Sequence, residues 1–506
     1  MDFGEHRSSH LAPGRLTGAV GSILLLSGAV LAAVVSSIFL AGVVLHDGVT
    51  PDFPWLSAAG EWMLVHGRLP AGDVFSWSAA GRPWVLYQWG FEIVVAAIQR
   101  IGGYGAVATA FAWASLAIYL IVPLQAAPRR TPLVLVAATG AAVLAVLSVN
   151  LSIRPMLATS AGLLLQHLLL NRVRRGAASL PAAVAAMALL YAIWANLHMG
   201  FALGLISLLL SMCGDWIEIR RMEDPEAGSW TPPLRPLHVL ALLGAAGLGS
   251  LITPYGPRLH LYLLELSAET ALNQRIDELG SPNFAFFQFQ LLLALLLLLT
   301  AALIRRSDAL RPADLLHLVC FCAATFLSAR FVVWAALYIV LLVPTAIAQG
   351  WPEIARRCPA RGDRPLMLTL GLVAVLAPPL LAWRGAADPV GPYCAPFRAA
   401  IAAYVEARLP RDRLLTDPIT GSCMIAAAPG VPVFFDTRFD FYGETFSLAE
   451  LDALALKPGW REYLDEHGFD AAVLDRGRPL AEALAIDASF ETLFRDEKSV
   501  VVRRLH

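Results

Sequence analysis

Long apolar runs separated by short polar ones fill the first 384 positions of this chain, after which the period changes. The first run, residues 16–45, is followed by others near 103–126, 132–150, 156–170, 181–197, 200–217, 237–252, 286–304, 314–329, 331–349 and 366–383. Each approaches the roughly twenty residues a bilayer core requires, so the pattern predicts about 11 transmembrane helices. The first run has no small-residue cleavage site before the acidic stretch that follows, and reads as a retained anchor. Two features interrupt the pattern. Residues 46–102 form an outer loop far longer than a linker needs, and residues 385–506 lose the long runs. There, RLLTDP, VPVFFDTRFDFYG, FDAAVLDR and SVVVRRL alternate as strands do, while CAPFRAAIAAYVEARLP and KPGWREYLDEHG carry helical spacing. The reading is a polytopic α-helical membrane domain, 1–384, followed by a small soluble α/β domain, 385–506, of a size that buries its own core.

Composition supports this. At 57% hydrophobic and 15% charged residues, with a mean hydropathy of +0.62, the chain is too apolar for a soluble globule. A formal charge of −1 argues against a nucleic-acid partner. Arginines collect at alternate ends of the runs: Arg7 and Arg15, Arg129 and Arg130, Arg172 to Arg175, Arg220 to Arg235, Arg305 to Arg311, and Arg356 to Arg364. By the positive-inside rule these ends are cytoplasmic, with the N-terminus inside and the 46–102 loop outside. An odd span count puts the C-terminal domain outside as well. The tight turn at Ser328 to Phe331 is the critical junction, since fusing the flanking runs would return that domain to the cytoplasm. Cys394 and Cys423 both fall in the outer domain, where an oxidising compartment permits a bridge, although sequence does not give their distance.

The outer loop holds Asp52, Glu61, Asp73 and Glu92 among Trp55, Trp62, Trp77, Trp84 and Trp89. Carboxylates beside aromatic rings at a membrane surface suggest chemistry on a sugar or a lipid-linked substrate, although the tryptophans read first as an interfacial belt. Asp52, in TPDFPW, is the strongest candidate for a general base; it also precedes an amphipathic helix and suits an N-cap. Ionisable groups at other outer span ends face the same side: Arg154 in NLSIRP, Asn196 and His198 in WANLHMG, Tyr255 and Arg258 in TPYGPR, Asp277 and Glu278 in RIDELG, and Arg330. Arg154 and Arg330 either snorkel to headgroups or hold a phosphate. His198 reads as a hydrogen-bonded turn residue more than a metal ligand, since no ligand spacing accompanies it. In the tail, Asp436, Arg438 and Asp440 form either a recognition edge or an ion-paired turn.

The stretch PDFPWLSAAGEWMLVHGRLPAGDVFSWSAAGRPWVLYQWGFEIV resembles the first external loop of bacterial multispanning membrane proteins related to the GT-C superfamily of glycosyltransferases. The resemblance continues through Arg154 and Pro155, WANLHMGF, TPYG, SPNF, SAR and FFDTRFDFYGETF, in that order along nearly the whole chain. It implies a GT-C-like fold and transfer, with inversion, of a sugar from a polyprenyl-phosphate carrier to a glycan, lipid or protein acceptor outside the bacterial cytoplasmic (inner) membrane. It also implies that Asp52 is the catalytic carboxylate. Substrate and phosphate contacts would come from Arg154, His198, Arg330, Asn196, Glu61, Asp73, Tyr255 and Glu278. Relatives often carry a histidine where this chain has Leu56, so no metal site is assigned; a divalent cation remains an option for the cofactor. Two other classes compete: a non-enzymatic membrane assembly or binding protein, and a transporter of lipid or polysaccharide. Against transport, the charges gather at one face and the hydropathy shows no inverted repeat.

Overall fold

The computed structural model describes residues 50–128, 130–148, 152–221, 232–267, 271, 272, 275, 279–357, 394 and 401–505. The first and last expected spans, together with Asp277 and Glu278, lie outside the described residues.

Helix α1, Phe53–His66, opens on Pro54 and stops at Gly67, whose φ of 64° returns its N–H to the Met63 carbonyl. Helix α2 begins at Trp89, well before the run expected at 103–126, and continues through a π-helical turn to Ala126. The discrepancy has a physical cause at Gly102 and Gly103, whose non-helical backbone breaks the helix between an outer arm and an apolar span. The outer arm packs closely on α1: a Cβ on Gly60 would collide with the Glu92 carbonyl.

The other described runs form α3 (Leu133–Leu147), α4 (Met156–Arg174), α5 (Leu180–Leu197), α6 (Phe201–Arg221) and α7 (Pro236–Ser250). After an amphipathic α8 (Pro257–Ser267) come α9 (Phe287–Arg305), α10 (Pro312–Leu327) and α11 (Val332–Gly350). Five of the described helices are long and apolar enough to cross a membrane: Trp89–Ala126, α5, α6, α9 and the Ala329–Gly350 segment. Helix α11 is apolar all round and 83% buried over its span window, which makes it the centre of the bundle. Helix α9, with 28% buried, leaves Leu297 and Ile304 exposed at the periphery, as a lipid-facing helix does.

Helices α10 and α11 remain separate across the 3₁₀ turn Ala329–Phe331, and Phe321 and His317 both stack on Tyr338. Contacts nested about that turn make the two helices an antiparallel hairpin, so the junction does not fuse. At the opposite ends, Arg174 and Arg311 bind Asp215 at 2.8 and 2.7 Å, and Arg311 binds Glu218 at 2.7 Å, all buried. The arginine-rich ends thus draw together at one end of the bundle, away from Arg154, His198 and Arg330.

In the C-terminal part, α12 (Ala403–Arg408) leads to β1 (Leu414–Thr416). Helix α13 (Pro418–Ala427) is capped by Asp417, whose carboxylate accepts the N–H groups of Ile419 and Thr420. One helical turn at α14 (Phe439–Tyr442) is followed by α15 (Glu444–Leu454), α16 (Trp460–His467), β2 (Ala471–Asp475), α17 (Pro479–Ile486), β3 (Phe490–Arg495) and β4 (Ser499–Arg504). The sheet order is β1-β2-β4-β3, with β1 parallel to β2 and the other pairs antiparallel. Cys394 and Cys423 form a disulfide, with Cα atoms 5.6 Å apart.

The outer loop and the C-terminal domain share one core. Trp55, Leu56, Met63, Trp84 and Leu86 pack with Val433, Phe434, Phe441 and Tyr442 in a single cluster. Ser76 also bridges to Val433, which itself bridges to Leu414 of β1. The loop thus supplies part of the apolar surface against which the tail packs and adds a bridge beside its sheet.

Candidate functional site

The local backbone sets Asp52 at the N-cap position of α1, yet its side chain makes no capping hydrogen bond. Its Oδ2 instead lies 3.0 Å from Nε of Arg154, in the turn that starts α4, while its Oδ1 is 3.5 Å from the Trp55 indole N–H. The two charged side chains are 23% and 15% exposed, so the pair is shielded but open to a ligand. Sequence reasoning placed both residues on the outer side; only the fold brings them into contact.

His198 occupies the turn between α5 and α6. Its Nδ1 accepts the Gly200 N–H at 3.2 Å and lies 2.6 Å from the Thr159 hydroxyl, which accepts the Trp194 indole N–H. With Nδ1 serving as acceptor, the proton sits on Nε2. Burial and the Arg330 charge push the imidazole down to about 3, so His198 is neutral. Its surroundings match the turn histidine weighed from sequence, with Arg330 close enough to act on it electrostatically. Arg330 also acts on Tyr87 of the outer loop.

The remaining expected residues divide by what they touch. The Asn196 amide is used internally, accepting from the Trp89 indole at 2.8 Å and donating to Ala192 O and Ile252 O. It ties the outer loop to α5 and to the turn after α7. The Tyr255 hydroxyl accepts the Leu86 N–H at 2.9 Å, a second tie of the same kind. Glu61 forms an exposed two-point pair with Arg100 on α2. Asp73 is fully engaged in accepting from Phe75 N, Ser76 N, the Ser76 hydroxyl and Arg438 Nη1. The structure therefore places Glu61 and Asp73 in protein–protein contacts, apart from the Asp52–Arg154 pair. Trp55 and Trp84 are buried in the shared core and the Trp77 indole donates to Leu414 O, so these three join domains where an interfacial belt was expected. Glu92 is fully buried at the start of α2, next to the α1 packing contact.

Thr437 and Tyr262, with Asp440 of the tail motif, make further contacts around this region. The Thr437 hydroxyl accepts the Trp55 indole N–H at 3.1 Å and faces the Pro51 carbonyl at 3.4 Å, thereby touching both flanks of Asp52. Asp440 accepts from Tyr262 of α8, through Oδ2 at 3.4 Å and its backbone carbonyl at 3.2 Å. Burial raises the Asp440 carboxyl from its ordinary value, and the Asp52 charge acts in the same direction. The motif FFDTRFDFYG was noticeable in sequence, but nothing in it indicated that Thr437 would reach the outer loop. Its Asp436 and Arg438 form a buried pair at 2.7 Å, the turn network weighed earlier, and Arg438 also binds Asp73 at 2.6 Å. Among the described residues, no three His, Cys, Asp or Glu side chains gather as metal ligands.

Solved structures share this architecture. The archaeal oligosaccharyltransferase AglB from Archaeoglobus fulgidus, in complex with an inhibitory peptide and a dolichol-phosphate, superposes with a TM-score of 0.53 at 14% identity. The match covers 89% of this chain and 69% of that one. ArnT from Cupriavidus metallidurans bound to undecaprenyl phosphate gives 0.51 at 16% identity, over 96% of this chain and 98% of that one. The fold is of the GT-C type. At these identities the similarity extends to the fold alone. No family model and no curated protein sequence matches the chain.

Proposed function

We propose that this protein is an inverting membrane glycosyltransferase that moves a sugar from a polyprenyl-phosphate carrier to an acceptor hydroxyl at the outer face of the bacterial cytoplasmic membrane. The observation that carries this reading is the Asp52–Arg154 pair at 3.0 Å, set where the outer loop meets the span ends of a GT-C type fold. A base and a phosphate-binding cation are the two groups such a displacement needs side by side.

In the reaction, Asp52 takes the proton of the acceptor hydroxyl as its oxygen attacks the anomeric carbon. The new C–O bond forms on one face while the bond to the carrier phosphate breaks on the other. The bonding pair leaves on the phosphate oxygen, and inversion follows from the in-line geometry. Arg154 and Arg330 neutralise the departing phosphate, and neutral His198 adds a hydrogen-bonding group without adding repulsion. Because polyprenyl phosphate is already a competent leaving group, orientation and charge stabilisation supply most of the catalysis. The disulfide between Cys394 and Cys423 suits an oxidising outer compartment for the C-terminal domain.

The test is to incubate purified protein with labelled polyprenyl-phosphate sugars and candidate acceptors. Transfer in the wild type that disappears in Asp52→Asn, with the fold intact, supports the reading. Binding without turnover would favour a binding or assembly module, and vectorial movement in vesicles a transporter.

A further inference from the structure

Asp52 is held at two points. Arg154 fixes Oδ2, and the single Trp55 indole N–H is shared between Asp52 Oδ1 at 3.5 Å and Thr437 Oγ1 at 3.1 Å. Thr437 comes from the far end of the chain, yet it is firmly placed. Its hydroxyl lies 2.8 Å from Ser422 Oγ on α13, and the next residue, Arg438, is locked to Asp436 and Asp73 and enclosed by Phe75, Trp84 and Phe441. The one Thr437 hydroxyl proton goes to Ser422 or to Pro51 O, and either choice leaves an oxygen lone pair for Trp55. Thr437 therefore takes the shorter share of the Trp55 donor and contacts the residue immediately before Asp52.

We infer that Thr437 is a positioning residue for Asp52: the C-terminal domain reaches across the shared core and sets the orientation and basicity of the outer-loop carboxylate by competing for the Trp55 N–H. The basis is electrostatic. A carboxylate accepting a strong hydrogen bond is a weaker base than one accepting a weak bond. With Thr437 present, Trp55 directs most of its donor strength away from Asp52. Without the Thr437 oxygen, Asp52 is the acceptor left to the same N–H among the described residues. The role of Asp52 as the reacting base rests on the proposed function; the contact with Thr437 does not.

The experiment uses the full-length protein in detergent. Carbodiimides react with protonated carboxyl groups, so the pH dependence of modification at Asp52, read by peptide mass spectrometry, reports its ionisation. Thr437→Val should lower the Asp52 midpoint by about half a pH unit, the scale of a neutral hydrogen bond. Thr437→Ser, which keeps the hydroxyl, should restore it, and Trp55→Phe, which removes the shared donor, should raise it. Arg461→Ala, on an exposed pair with Asp487, should leave it unmoved. Where transfer is measurable, Thr437→Val should lower kcat about three- to ten-fold with KM unchanged. An unmoved midpoint in Thr437→Val, or a serine variant that behaves like valine, overturns the inference. Should Thr437→Val fail to fold, Thr437→Ala, which removes the same hydroxyl, takes its place. Shifted midpoints in a protein that transfers no sugar would sink the proposed function and leave the positioning role standing; active protein with unmoved midpoints would do the reverse.

Discussion

Asp52 and Arg154 neutralise one another, with Oδ2 3.0 Å from Nε, although they come from separate elements, the start of α1 and the turn before α4. A carboxylate paired with a guanidinium is a poor base, and a guanidinium paired with a carboxylate is a poor phosphate ligand. Arrival of a carrier phosphate would compete for Arg154 and release Asp52.

The first prediction follows from that competition. Asp52→Asn should bind polyprenyl phosphate about two- to five-fold more tightly than wild type, because the amide no longer opposes the phosphate charge. Native mass spectrometry or calorimetry with undecaprenyl phosphate in detergent measures it. Equal or weaker binding by the asparagine variant would show that the two residues do not compete. Arg154→Gln should weaken binding, and the double variant should show no gain over it.

Arg438 is 1% exposed between two buried carboxylates, Asp73 from the outer loop and Asp436 beside it. Removing one member of such a network strands its partners in a medium that solvates them poorly. Arg438→Met should cost about 3–5 kcal/mol of stability, seen as a lowered thermal midpoint of the purified protein. A change no larger than that of an exposed pair, such as Arg461→Ala, would contradict the clamp.

Glu450 supplies a pH dependence. It is fully buried on α15, and burial raises its carboxyl to about 8, with the Asp417 charge adding to the effect. The folded value lies above the unfolded one. Below about pH 4.5 both states are protonated and the group costs nothing; from there to about 8 the unfolded state ionises first, and stability falls as pH rises. The slope attributable to this residue is roughly 1.4 kcal/mol per pH unit. Glu450→Gln should flatten the decline in melting temperature between pH 5 and 8 and stabilise the protein at neutral pH. Parallel wild-type and variant curves would rule this out.

The Cys394–Cys423 disulfide ties the start of the C-terminal domain to α13. Reduction, or Cys423→Ser, should destabilise the protein by about 2–4 kcal/mol, and the bridge should appear as a mobility difference between reduced and non-reduced gels. Identical mobility and melting in both conditions would mean that no bridge forms.

Several parts of this arrangement are legible without coordinates because they depend on local chemistry. The apolar runs become helices α3 to α7 and α9 to α11 at nearly the expected positions, since burial of an apolar helix in lipid depends on composition and length. The arginine ends also group in space: Arg174 and Arg311 meet at one end of the bundle, while Arg154 and Arg330 flank the opposite ends of the same helices. The start of α2 was misplaced because Glu92, Gln99 and Arg100 bound an apolar run, 93–98, too short to span a bilayer by itself, although the segment is helical up to the Gly102–Gly103 break.

Sequence alone determined that this chain spans a membrane, that an acidic, tryptophan-rich loop and an α/β tail flank the spans, and that Asp52 heads a helix of that loop. These follow from hydropathy and from the stop and start residues near each element. Only the tertiary structure decided which partners those side chains take: Arg154 for Asp52, Arg100 for Glu61, Arg438 for Asp73 and Thr437 for Trp55. A carboxylate at a given position has the same composition signal whether it faces a ligand, a surface arginine or a buried clamp. The choice is made by elements brought together from distant parts of the chain, through a core that the outer loop and the C-terminal domain form jointly.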